Sequence, residues 1–238
     1  MCSYELLFMT SIVIYFSRAG SNWVKDGVGY LDVGNTELLA KYIQKKTDCD
    51  IFKIETTKQY PDDYYQATEV AKEELQNGFR PKLIKYPDNL EKYDKIYLGH
   101  PIWWSTFPTA VFALLENCNL DGKMIIPFCT HEGSGIANSD RDLKQICGNS
   151  KIKSYFEIRG YMCQEIDTNA NLQSKINTWI EKMINYVLRC PRPRPRGLYF
   201  APRVAPRTNS LRASATNSLR AAQLLRTIHQ HEKLFVVF

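Results

Sequence analysis

Five short, largely apolar runs, each followed by a stretch whose apolar residues fall at helical spacing, limit this chain to very few folds. Residues 12–16 are β-branched or aromatic throughout, as a strand covered on both faces requires. Behind them Leu38, Leu39, Tyr42 and Ile43 share one helical face, with Asn35 or Thr36 placed to cap it. Residues 51–55 read as a second strand, and Val70, Ala71 and Leu75 mark a short helix. A third strand over 96–100 precedes a helix opening at Pro108 that buries Val111, Leu114 and Leu115. A fourth strand over 124–129 precedes a helix with Leu143, Ile146 and Cys147. A fifth over 155–158 precedes a long helix with Leu172, Ile176, Trp179, Ile180, Met183, Ile184 and Val187 on its inner face. This alternation predicts an α/β fold with a five-stranded parallel sheet, helices on both faces and right-handed crossovers. Ligands of such sheets bind outside the carboxyl ends of the strands, which directs attention to the loops there.

The formal charge of +6 is unevenly spread. Residues 189–238 carry ten of the 31 basic side chains and one of the 25 acids, so residues 1–188 are mildly acidic. Charge therefore gives the body no nucleic-acid footprint. The tail opens on an Arg/Pro run over 191–196 and holds too little apolar surface to offset its ordering entropy, so disorder is expected. A nucleic-acid tether and a fused or misread reading frame are alternative readings of it. The domain plan is an extension over 1–9, one globular domain over 10–188 and the tail over 189–238, with Met9 an alternative start. The longest apolar stretch, residues 6–16, falls short of the ~20 residues that span a bilayer, so no membrane insertion is expected. Residues 1–5 lack the positive region of a secretory signal. Seven scattered cysteines without a Cys-x-x-Cys pair fit a reducing, cytoplasmic setting.

Three loops at strand ends carry candidate chemistry. The first, residues 17–22 with Ser17 and Arg18 at its head, leads through an excursion over 23–33 to Gly34, Asn35 and Thr36 at a helix start. Small hydroxyl residues, glycine and the open N–H groups of a helix N-terminus form an anion site suited to a phosphate monoester, although the same residues are ordinary in turns and caps. The second holds Pro101, Ile102, Trp103 and Trp104. Neighbours in an extended segment point to opposite sides, so at least one indole should be exposed or cover a ligand; its plane matches a flat aromatic ring. The third holds Thr130, His131, Glu132, Gly133 and Ser134, whose polar groups can read a heterocycle's edge. His131 with Glu132 is also a candidate acid/base pair. Cys129 and His131 lack the second ligand pair a zinc site needs, so no metal is expected. No Gly-x-Gly-x-x-Gly follows the first strand, which disfavours a dinucleotide-binding Rossmann domain.

The loops, in this order on five β/α units, closely resemble the flavodoxin-like family of FMN proteins. Residues 14–22, 34–37, 97–104 and 127–135 carry the resemblance, which extends over about residues 10–185. It implies a flavodoxin-like three-layer open sandwich with sheet order 2-1-3-4-5 and non-covalent FMN at the switch point. It also implies that Ser17, Arg18, Asn35 and Thr36 surround the phosphate. Pro101, Ile102, Trp103 and Trp104 would form one wall of the isoalloxazine site, and Thr130, His131, Glu132, Gly133 and Ser134 the other side. An acidic body beside an apolar indole wall would disfavour negative charge on the reduced cofactor and lower its potential. Two features depart from the simplest members: residues 23–33 interrupt the first loop, and bulky Ile-Trp-Trp stands where a glycine able to flip its peptide toward the flavin would lie.

The leading expectation is an FMN-binding protein acting in electron transfer or redox reactions, either as an electron carrier or as an FMN-dependent oxidoreductase. Its partner would be a redox protein, or NAD(P)H with a small-molecule acceptor. An NAD(P)H-dependent quinone or nitro-compound reductase on the same scaffold is the alternative within enzymes. A flavin-free interaction module with a basic nucleic-acid-tethering tail is the alternative from another class.

Overall fold

A computed structural model describes residues 9–189, and the side chains of 9–184. The expected extension before residue 9 and the expected tail over 189–238 lie essentially outside the described residues. The elements run β1 (Ser11–Tyr15), β2 (Gly20–Val24), β3 (Gly27–Leu31), α1 (Asn35–Thr47), β4 (Asp50–Lys53), α2 (Tyr64–Gln76), β5 (Lys95–Pro101), α3 (Thr109–Asn117), β6 (Met124–His131), α4 (Ser139–Ile146), β7 (Lys151–Ile152), β8 (Phe156–Arg159) and α5 (Ala170–Arg189). The main sheet has the order β4-β1-β5-β6-β7, with β8 also paired to β6, and every pairing is parallel. In β/α units this is the 2-1-3-4-5 order, with the reversal of direction at β1.

β5 and β6 are buried at every position, which explains their unbroken apolar character. One face packs Ile12, Ile14, Ile96, Leu98 and Ile125 against Ala71, Val111, Leu114 and Leu143 of α2, α3 and α4. The other face meets α1 and α5, where Trp179 lies edge-on to Tyr97 with ring centroids 6.1 Å apart. Gly99 in β5 sits opposite Phe128 of β6, and a Cβ there would collide with the phenyl ring. The absence of a side chain at Gly99 is what lets Phe128 lie flat across the centre of the sheet.

Among the described residues the sheet has six strands rather than the five expected, because the outermost position is shared by β7 and β8. Between Ile125↔Ile152 and Phe128↔Phe156, three residues face only Ile126 and Pro127 of β6. One extra residue interrupts a ladder, and Pro127 brings no N–H to it. The interruption in the first loop is a second sheet: β2 and β3 form an antiparallel hairpin from Gly20↔Leu31 to Val24↔Gly27. Among the described residues, no helix is long and apolar enough to cross a membrane.

Candidate functional site

Helix α1 begins one residue earlier than the expected caps, with Gly34 at the N-cap and no side-chain cap of its own. The missing hydroxyl comes from across the fold. Ser17 Oγ, two residues past the end of β1, accepts a hydrogen bond from the Glu37 N–H at 3.1 Å. Gly34 is the residue that permits this approach, since a Cβ there would strike Ser17 Oγ and the Arg18 carbonyl. The N–H groups of Asn35 and Thr36 precede the intrahelical ladder and are the open donors of the first turn. Thr36 Oγ1 pairs with Thr130 Oγ1 of β6 at 2.7 Å, both residues being buried, so the helix start is tied to the strand end.

At the carboxyl ends of β1, β5, β6 and β8 the chain leaves an open crevice. It is lined by Ser17, Arg18, Asn35 and Thr36 of the first loop and helix start, Pro101 and Trp103 of the second loop, and Thr130, His131 and Glu132 of the third. Nine of the thirteen candidate residues, drawn from all three loops, thus meet in one place. Asn22 of the hairpin and Gly160 after β8 complete the lining. Gly160 lies 26 residues beyond the last candidate, Ser134, and nothing in the sequence ties it to the site; Asn22 belongs to the first loop but is given no role, because it stands where the interruption over 23–33 begins. The Asp26-Gly27 dipeptide was the available hairpin signal.

Arg18 lines the crevice, but its guanidinium donates to the carbonyls of Ser21, Pro61 and Asp62, the last two at 2.5 and 2.6 Å. It stitches the hairpin to the segment ahead of α2. The open backbone N–H groups at the start of α1 are therefore the freer donors for an anion.

The two tryptophans divide differently from the extended-chain expectation. Trp103 and Thr106 exchange backbone hydrogen bonds of 2.7 and 3.1 Å, while Trp104 and Ser105 between them both have positive φ, at 49° and 67°. This is a two-residue turn of the I′ kind, so alternation of sides does not apply. Trp103 is buried and braced edge-on by Phe16 and Tyr60, with centroids 5.2 and 5.0 Å away. Trp104 packs over α2, its Nε1–H donating to the Thr68 carbonyl at 2.9 Å and Lys72 lying 4.8 Å from its ring centroid. Ile102 is buried and hydrogen-bonds the Thr130 carbonyl at 2.9 Å. Ile102, Trp104, Gly133 and Ser134 lie outside the crevice lining.

His131 does not pair with Glu132. Its Nδ1 accepts the Gly133 N–H at 2.9 Å, which puts the proton of the neutral ring on Nε2, 3.7 Å from Glu157 Oε2. Burial lowers its pKa, with Glu157 acting in the opposite direction. Glu132 faces the backbone N–H groups of Tyr161 and Gly160, but burial dominates and raises its carboxyl to about 7. His100, fully buried behind the loop, is held by the Pro101 carbonyl at 3.1 Å and the Tyr155 hydroxyl at 3.4 Å. Burial brings it down to about 4, so it is a neutral structural group near pH 7.

The model of the flavodoxin family matches residues 13–183. A candidate flavoprotein from Bacteroides eggerthii DSM 20697 superimposes with a TM-score of 0.56 at 22% identity, covering 74% of this chain and 98% of its own. Another, from Bacteroides uniformis ATCC 8492, gives 0.55 at 23% identity, covering 73% and 98%. At these identities the likeness speaks to fold alone. No curated protein matches the chain significantly. The family match over most of the globular part, together with the sheet order and the crevice at its point of reversal, shows that this chain belongs to the flavodoxin family.

Proposed function

We propose that this protein binds FMN non-covalently in the crevice and works in electron transfer or redox reactions. One observation carries the reading: the open first turn of α1, with Ser17 and Thr36 beside it, shares a crevice with Trp103 and Pro101 at the point where the strand order reverses. The residues fit the cofactor. Hydroxyls and helix amides suit a phosphate ester, and a braced indole suits a flat ring. Glycine at 160 keeps the floor open, since a Cβ there would lie 2.5 Å from Glu132 Oε1 and 2.6 Å from Asn35 Nδ2.

In this reading Ser17, Asn35 and Thr36 hold the phosphate, with Arg18 fixing the loop and adding positive charge. Pro101 and Trp103 wall the ring, with Ile102 and Trp104 their neighbours in the same loop. Thr130, His131 and Glu132, continued by Gly133 and Ser134, form the other side of the ring site, with the Glu132 carboxyl near Asn35 at the start of α1. Bound FMN supplies the redox chemistry; the chain positions it and excludes water. The partner is a redox protein, or NAD(P)H with a small acceptor.

Titration of the purified full chain with FMN, followed by flavin fluorescence and co-elution in gel filtration, tests the reading. Stoichiometric binding is expected, and a protein that stays colourless with excess FMN overturns it. Photoreduction in two resolved one-electron stages then favours a carrier, whereas turnover of NAD(P)H with a quinone favours a reductase.

A further inference from the structure

The carboxyl of Glu132 stands inside a crevice otherwise built to receive an anion. Its Oε1 and the Asn35 amide converge on Gly160, so the carboxyl flanks the residue that opens α1. We propose that Glu132 takes up a proton from solvent when the crevice accepts a phosphate ester, so that binding of the anionic ligand and the charge on this side chain exclude one another. The proposal rests on the FMN reading of the crevice.

The charged and titratable groups around Glu132 leave it free to respond. From β8 and the turn after it, Arg159 acts through space, Tyr161 and Gly160 present backbone N–H groups, and Cys163 is a buried thiol raised further by Glu132 itself. On its own loop, His131 is engaged with Gly133 and Glu157. From α1, Asn35 is neutral and takes a hydrogen bond from Gln164 at 2.7 Å, while Glu37 is neutralised by Lys41 and Lys53 at 2.6 and 2.8 Å. Arg18, across the crevice, is turned toward carbonyls. Burial already holds the carboxyl near neutrality at about pH 7, so a second negative charge in the crevice shifts a group poised to change.

Dissociation constants of FMN and of riboflavin, which lacks the phosphate, should be measured between pH 6 and 8.5 for the wild type and Glu132→Gln. FMN affinity of the wild type relative to the variant should fall above pH 7, by up to about tenfold per pH unit for one linked proton. The ratio should be flat for riboflavin. Dividing by the variant removes the titration of the phosphate itself. Calorimetry of the wild type in buffers of different ionisation enthalpy gives proton uptake directly, should the variant fold poorly. Uptake with FMN but not riboflavin supports the proposal. Equal pH slopes for wild type and variant, or equal uptake with both ligands, overturn it while leaving FMN binding intact. If neither protein binds either flavin, the FMN reading fails and the proposal with it.

Discussion

The ring of Tyr60 meets the indole of Trp103 edge-on, with centroids 5.0 Å apart and planes at 87°. The Tyr60 hydroxyl donates to Glu74 on α2 at 2.7 Å, and Thr109 at the start of α3 donates to the same carboxylate oxygen. Two helices thereby fix the indole of Trp103, which lines the crevice. Tyr60→Phe keeps the ring and should cost about 1 kcal/mol in urea unfolding, with little change in FMN affinity. Tyr60→Ala removes the brace and should cost about 2–4 kcal/mol and weaken FMN at least tenfold. Unaltered binding by the alanine variant would show that Trp103 holds its place without Tyr60.

The buried Thr36 and Thr130 hydroxyls pair with one another at the start of α1. Thr36→Val should destabilise by about 1–3 kcal/mol, because Thr130 keeps a hydroxyl without its partner. Adding Thr130→Val should recover much of that loss, so the double-mutant cycle should show strong positive coupling. Additive losses in thermal unfolding would mean the pair does not act as a unit.

Gly34→Ala places a methyl against Ser17 Oγ and the Arg18 carbonyl. The first loop must then move off the start of α1, for about 1–3 kcal/mol of stability. FMN affinity should drop by more than tenfold, and riboflavin affinity by much less, if this loop holds the phosphate. Fluorescence titration of both ligands against the variant decides it.

Arg18→Lys keeps the charge and loses the planar fork that serves the carbonyls of Ser21, Pro61 and Asp62. The hairpin and the segment ahead of α2 should come apart locally before the sheet unfolds. Limited proteolysis should cut the variant faster within residues 20–31 and 57–63, with the cleavage sites read by mass spectrometry.

His100 and Glu132 oppose one another in their dependence on pH. The His100 pKa is depressed by burial, so the unfolded chain binds the extra proton and stability is lost as pH falls from about 6.5 to about 4. The Glu132 pKa is raised by burial, so the folded chain binds the extra proton and stability is lost as pH rises from about 4.5 to about 7. Glu132→Gln removes the second effect. Relative to the wild type, the variant should gain stability as pH rises from 4.5 to 7.5, read from urea midpoints at each pH. A constant difference between the two would show that the Glu132 carboxyl titrates alike in the folded and unfolded chains.

The sequence by itself determined the order of five β/α units, because a strand buried on both faces must be apolar throughout and a helix on a sheet must carry a stripe; residues 96–100 and 124–129 state this openly. It also brought Ser17, Asn35, Trp103, Thr130 and Glu132 under suspicion, since they follow strand ends. Tertiary structure decided what local pattern cannot hold. Ser17 caps a helix twenty residues away, and Gly160 closes the crevice from the far end of the sheet, both through contacts remote in sequence. The hairpin over Gly20–Leu31 is too polar and glycine-rich to register as buried strands, and a left-handed turn at Trp104 and Ser105 sent the two indoles to different tasks. Periodicity reports burial along one segment; the direction in which a loop side chain points is set by the neighbours the whole fold brings to it.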